Sequence, residues 1–240
     1  MRKNKVRLNM MSNKVSYGLF QIFPSTDAVE IASKAGLDFV MFDCEHGPFT
    51  PHEVDILCKA ANAADITPLA RVPDIEAATI SSFLDAGLMG IVGPHIYDGA
   101  SAEKLSRAAR YPPRGHRKFN FDKWENINGE DELIYSLQDV NDNTLVIALL
   151  EDIRALDNID DILMVEGIDL FTTGPQDIAQ SMGLPGQLSH PDVKSLEQLI
   201  KERIRSSGRN MCDEIMPLMK TVDQFLMESR SFLLPQQSRE

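Results

Sequence analysis

Short apolar runs recur along this chain, and a helical stretch follows nearly every one. The runs at 15–23, 37–42, 68–72, 90–96, 145–150 and 168–173 read as strands, because they are short and bounded by turn residues. The helices are expected at about 26–34, 50–64, 74–86, 102–110, 131–137, 155–165 and 191–206. Ser25 or Thr26 can cap the first. Thr50-Pro51-His52-Glu53 is a capping box with proline at the first helical position, and Ser101 can cap the helix at 102–110. Strand–helix alternation at this spacing predicts a parallel sheet. The fold class expected is α/β, a TIM (β/α)8 barrel in one domain over 1–240, since such barrels run to about 250 residues.

The two ends of the chain fit that pattern less well. Residues 1–14 hold five basic side chains and no acidic one, and read as a solvated N-terminal extension. Beyond about residue 207 the pattern is atypical. Segments 209–213 and 231–235 are the expected seventh and eighth strands, and the five residues after Pro235 are too few for a closing helix. The barrel is therefore expected to lack its last helix. Residues 118–129, polar and aromatic, read as a long surface loop.

Composition excludes several functions. A formal net charge of -12 opposes general nucleic-acid binding, which needs an excess of Lys and Arg. No apolar stretch reaches the ~18 residues of a membrane span. Cys44, Cys58 and Cys212 show no metal or disulfide spacing, so a reducing cytoplasm is the expected compartment. Cys44 and the eleven methionines read as core residues.

In a parallel barrel, catalytic residues gather where the C-terminal strand ends converge. Asp43, Glu45 and His46 follow the second strand, Arg71 ends the third, and Glu151 follows the fifth. Asp177 lies just past the sixth, in Gly174-Pro175-Gln176-Asp177. Glu151 and Asp177 are the metal candidates, as oxygen donors suit Mg²⁺ or Mn²⁺ better than structural zinc. Strand-end carboxylates also cap helices, which is the plain alternative for either one. His46 is a candidate general base, with Asp43, Glu45 or Asp85 to orient its ring. Arg71 can hold a carbonyl or carboxylate oxygen. The opening of a short helix at Gly174, Gln176 and Asp177 favours an anion.

Taken in order, Asp43-Cys44-Glu45-His46-Gly47-Pro48, Arg71-Val72-Pro73, Leu84-Asp85-Ala86-Gly87, Tyr111-Pro112-Pro113-Arg114-Gly115-His116-Arg117, Glu151 and Gly174-Pro175-Gln176-Asp177 resemble the HpcH/HpaI aldolase family over about residues 15–205. These are class II pyruvate-specific aldolases. The resemblance implies cleavage of a 4-hydroxy-2-oxo acid or 2-keto-3-deoxy sugar acid to pyruvate and an aldehyde. Glu151 and Asp177 would ligate Mg²⁺, Mn²⁺ or Co²⁺, and Arg71 would contact the keto oxygen. The Gln176 and Asp177 amides would bind the carboxylate. His46, assisted by Asp43 or Asp85, would take the hydroxyl proton. The family usually carries Gln where Leu149 stands, a small residue where Gln176 stands, and Gly where Lys118 stands. Its last helix, exchanged between subunits of a hexamer, has no counterpart here. A homo-oligomer is expected, with its subunit number left open by that helix. Two other readings stand beside the aldolase: a citrate-lyase-like CoA-ester lyase, to which the acidic balance gives no support, and a non-catalytic barrel acting as a binding or scaffold subunit.

Overall fold

A computed structural model describes residues 3–120 and 129–221 and, beyond these, 223, 224, 226–228 and 231. Seven parallel strands form one sheet: β1 (Gly18–Gln21), β2 (Phe39–Asp43), β3 (Thr67–Arg71), β4 (Gly90–Gly93), β5 (Leu145–Leu150), β6 (Leu170–Thr173) and β7 (Leu218–Lys220). Their order is β6-β5-β4-β3-β2-β1-β7. The helices are α1 (Lys5–Met11), α2 (Thr26–Lys34), α3 (Pro51–Ala63), α4 (Ala77–Asp85), α5 (Gly99–Ala108), α6 (Glu130–Asn143), α7 (Arg154–Asp157), α8 (Ile159–Met164), α9 (Pro175–Ser181), α10 (Pro191–Ser206) and α11 (Cys212–Ile215).

The sheet is curled, and the chain path shows why. Met211 forms a parallel bridge to Phe171 at the β6 edge. Seven residues later the chain pairs with β1 at the opposite edge, Gly18 beside Leu218. Across a flat sheet those places would lie about 34 Å apart at about 4.8 Å per strand. Seven residues reach about 25 Å even when fully extended. Only curling brings the two edges within reach.

Strand alternation splits the core into two clusters. Outward residues such as Val40, Phe42, Ala70, Ile91, Val146, Ala148, Leu150 and Phe171 pack under the helices. Inward residues, among them Phe39, Met41, Leu69, Val92, Ile147, Leu149 and Leu170, pack against Val6, Cys212 and Met216. Burial on both faces explains why the strands read as unbroken apolar runs. The Thr50–Glu53 capping box is present, and Ser25 caps α2. Asp98, not Ser101, is the N-cap of α5; Ser101 answers from the third position of that box.

The ends of the chain depart from expectation. The N-terminal stretch is not a solvated extension. Asn4 caps α1 with its side-chain oxygen and donates its amide to Met89 O at 2.9 Å and Asn143 O at 3.0 Å. Val6 is fully buried within the inner cluster, and Arg7 pairs with Asp169 at 2.7 Å. The Lys5 N–H donates to Thr67 Oγ1 at 3.1 Å, and since Thr67, Met89, Asn143 and Asp169 all stand at strand N-terminal ends, α1 closes that end of the sheet. Asn4→Ala removes a cap and two buried hydrogen bonds; we expect a loss of about 2–3 kcal/mol, read as a lower melting temperature. An unchanged melting temperature would show that the plug is not structural.

At the other end, the strand expected at 209–213 is reduced to the Met211 bridge, because α11 begins at Cys212. The strand beside β1 is Leu218–Lys220 rather than 231–235. Ser231 is helical, and 232–235 lie outside the described residues, as does 121–128 of the expected surface loop. The helix expected at 155–165 is two pieces, α7 and α8, and that expected at 131–137 extends over Glu130–Asn143. Among the described residues the sheet is a curled one of seven strands with a single bridge beyond β6, and a full eight-stranded barrel is not confirmed.

Candidate active site

The parity that buries Leu145, Ile147 and Leu149 inward carries Glu151 inward too, at the C-terminal end of β5. The same rule brings Asp43 in from β2 and Arg71 from β3. Asp43 is 4% exposed and accepts two hydrogen bonds from Arg71, Nε to Oδ1 at 2.9 Å and Nη2 to Oδ2 at 2.8 Å. This bidentate pair fixes the guanidinium plane. Arg71 also lies 3.2 Å from Glu45 Oε2, and its guanidinium stands over the Phe20 ring at 5.7 Å. Burial weakens its hold on the proton, but the Asp43 bonds and the charges of Asp43, Glu45 and Glu151 outweigh that and hold its pKa above the ordinary value.

Glu151 is 2% exposed. Burial pushes its carboxyl up to about 7, and the Glu45 and Asp177 charges add to the effect. The His95 backbone N–H and ring oppose it. That N–H donates to Glu151 Oε1 at 2.9 Å. The His95 ring lies between two carboxylates, Nδ1 at 3.2 Å from Glu151 Oε1 and Nε2 at 3.3 Å from Glu45 Oε1. One donor atom from each of Glu45, His95 and Glu151 lies within 4.8 Å of the others. This set can hold a metal ion. Gly174 packs against this carboxylate, since a Cβ there would stand 2.6 Å from Glu151 Oε2.

The other expected residues are distributed unevenly. Asp177 is half-buried in the first turn of α9 and acts on Glu151 through its charge, but does not join the three-residue cluster. Gln176 is exposed beside it. The His46 side chain is 62% exposed, with Nε2 3.9 Å from Glu45 Oε2. Asp43 reaches the backbone N–H of His46, at 3.4 Å, rather than its ring. Asp85 is the last residue of α4, which returns the chain from the end of β3 to the start of β4. It therefore sits at the opposite end of the sheet from His46, where it accepts from Arg117 Nη2 at 2.6 Å. Arg117 stacks over Tyr111 at 4.7 Å. Among the described residues Asp43 is paired with Arg71 and Asp85 with Arg117, and neither makes a hydrogen bond to the His46 ring.

His95 is the residue that the sequence reading passes over. Gly93-Pro94 precedes it and suggests a turn, yet it follows a strand end as Glu151 does. Its backbone is left-handed, φ +55°, a conformation uncommon outside glycine that Asn13 and Asp65 also adopt in this chain.

The model of the HpcH/HpaI aldolase/citrate lyase family matches residues 16–234. The chain is 30% identical over 211 residues to a 2-keto-3-deoxy-L-rhamnonate aldolase of Shigella boydii, covering 86% of this chain and 77% of that protein. It is 28% identical to a 5-keto-4-deoxy-D-glucarate aldolase of Salmonella arizonae, covering 96% and 89%. The structure is similar to that of citrate synthase SbnG, with a TM-score of 0.85, 27% identity, and 98% and 99% of the two chains covered. The chain belongs to the HpcH/HpaI aldolase/citrate lyase family.

Proposed function

We propose that this protein is a divalent-metal-dependent aldolase that cleaves a 4-hydroxy-2-oxo acid or 2-keto-3-deoxy sugar acid to pyruvate and an aldehyde. The observation that carries the reading is the buried Glu151 carboxylate, grouped with Glu45 and His95 beside the Arg71 guanidinium at the strand C-terminal ends. Glu151 and Asp177 would hold Mg²⁺, Mn²⁺ or Co²⁺. The donor set fits such an ion: Glu151 is a buried carboxyl whose pKa burial raises, and Glu45 and His95 each bring a donor atom to within 4.8 Å of it. When bound, the ion supplies Lewis-acid polarisation of the oxo acid.

The chain's own residues do the rest. Arg71, locked by Asp43, holds the keto oxygen and the negative charge that develops there. Gly174, Gln176 and Asp177 open α9, whose first amides have no intrahelical partner and favour the substrate carboxylate. His46 is open to substrate and takes the proton of the 4-hydroxyl as the C3–C4 bond breaks. The bond's electrons pass to the three-carbon fragment, which leaves as pyruvate once C3 regains a proton. Asp85 joins the base only if another copy of the chain presents it, in keeping with a homo-oligomer. No helix among the described residues is long and apolar enough to cross a membrane. Buried Cys44, Cys58 and Cys212, which form no disulfide among the described residues, support a cytoplasmic setting.

The test is pyruvate release from a 4-hydroxy-2-oxo acid, read by coupled NADH oxidation, first with chelator and then with added Mn²⁺. Activity lost and regained supports the aldolase. A folded protein that neither binds Mn²⁺ nor releases pyruvate is the non-catalytic barrel instead. His46→Gln should lower kcat by about 10²–10⁴ and leave Mn²⁺ affinity unchanged. A fall in Mn²⁺ affinity would place His46 among the metal's supports, not the base.

A further inference from the structure

We infer that a small apolar cavity beneath the Arg71 guanidinium seats an alkyl group on C3 of the 2-oxo acid, so that the protein accepts as donor a 2-oxo acid with a short unbranched chain, such as 2-oxobutyrate, as well as pyruvate. This rests on the aldolase reading above and deepens it by widening the substrate class.

Strand parity places the cavity. Met41 stands two residues before Asp43 on β2, and Leu149 two before Glu151 on β5. Both point inward, one layer or about 7 Å below the site residues. Phe20 pairs with Met41 in the sheet and Thr172 with Leu149, and all four line the cavity. Arg71, in register with Asp43, meets it from the site layer and is the only charged residue in its described wall. The remaining side is the seam, where Cys212, Met216 and Leu218 cross from β6 toward β1. The volume is about 130 Å³. Close-packed interiors leave few voids larger than a water, and an apolar cavity of about 150 Å³ admits benzene. This one therefore has room for about two or three carbons.

The chemical consequence follows from where the substrate is held. Arg71 fixes the keto oxygen on C2, and the amides that open α9 fix the carboxylate on C1. C3 is the next atom. Its bond to C4 leads to the exposed His46. A further substituent on C3 that turns away from the solvent-facing rim meets the cavity that Arg71 helps to wall. An alkyl group gains by burial there. A charged group would lose its water against apolar walls, since Arg71 Nε and Nη2 already donate to Asp43. In the synthetic direction, C3 of 2-oxobutyrate gives up one proton and its electron pair forms the bond to the aldehyde carbon. The aldehyde oxygen takes a proton from His46, so the step balances without an oxidant or reductant.

The test is exchange of C3 hydrogens for deuterium in heavy water, read by proton NMR with the full chain and Mg²⁺, on pyruvate and on 2-oxobutyrate. The wild type should exchange 2-oxobutyrate with kcat/KM within about tenfold of that for pyruvate. Exchange should stop after one deuterium, because a seated alkyl group leaves one C3 hydrogen facing the base. Leu149→Phe fills the cavity and should lower the ratio of 2-oxobutyrate to pyruvate kcat/KM about tenfold or more. Val92→Ile, on the same wall, adds a single methylene, suits a strand, and should lower the ratio in the same direction should Leu149→Phe fail to fold. Pyruvate exchange with 2-oxobutyrate more than about tenfold slower, exchange of both C3 hydrogens at like rates, or a ratio unmoved in the folded variants would overturn the inference and leave the aldolase reading intact. Absence of pyruvate exchange in a wild-type chain that holds Mg²⁺ would overturn both.

Discussion

Glu151→Gln is expected to abolish metal-dependent pyruvate release and, at the same time, to stabilise the metal-free protein at alkaline pH. The two effects share one cause. The carboxyl is buried, and its pKa rises from an ordinary 4.5 to about 7. A group with a raised folded-state pKa favours the folded state while protonated. The contribution of this one group is therefore fully favourable below about pH 4.5 and is lost as pH climbs through about 7, after which the penalty is constant. At about 1.4 kcal/mol per unit the full penalty is about 3 kcal/mol. Glutamine keeps the shape, can still accept from the His95 N–H, and carries no charge. Calorimetry in chelator should show Glu151→Gln melting roughly 6–10 °C above wild type at pH 8. The difference should vanish near pH 4.5. A variant that melts lower at pH 8 would mean that the carboxylate is already compensated without metal.

Arg71→Ala should produce the largest loss of stability of any change at the site. It strips a buried, bidentate partner from Asp43, leaving an unpaired charge at 4% exposure. Breaking such a pair costs about 3–5 kcal/mol, which in a chain of this length lowers the melting temperature by about 10 °C. Adding Asp43→Asn should recover part of that loss, because the stranded charge is then gone. A double variant no more stable than Arg71→Ala would show that the cost is lost packing over Phe20 rather than the orphaned carboxylate. Arg71→Lys keeps a charge but not the planar fork, and should lower kcat about 10²-fold.

Much of this was legible from local pattern. Unbroken apolar runs gave strands β2 to β6, since a sheet covered on both faces imposes that composition. The capping box at Thr50 and Glu53 and the Ser25 cap were readable because caps are encoded within four residues. Asp43, Arg71, Glu151 and Asp177 could be picked as site candidates for one reason: strand ends are visible in sequence, and in a parallel sheet they lie together.

What stayed hidden depends on longer-range contacts. Leu218–Lys220 pairs with β1 some two hundred positions away, and an exposed three-residue strand has no apolar pattern to betray it. The basic N-terminal stretch looked solvated because its one deeply buried apolar residue, Val6, and the Asn4 bonds to Met89 and Asn143 have no local signature. Asp85 was matched to His46 by motif, while the direction of α4 sets it at the other end of the strands. His95 was hidden because the strand was read over 90–96, whereas β4 ends at Gly93 and His95 stands just past its end. Its importance lies in the Glu45 and Glu151 carboxylates on either side, supplied by two other strands.

The central claim, that this site ionises C3 of pyruvate with a metal's help, can be tested without knowing the aldehyde. The measurement is exchange of pyruvate methyl hydrogens for deuterium in heavy water, followed by proton NMR with the wild-type chain and Mg²⁺ or Co²⁺. The account predicts steady loss of the methyl signal with metal, none with chelator, and none in Glu151→Gln. Exchange that persists undiminished in chelator, or is absent from a chain that demonstrably holds the metal, would contradict it.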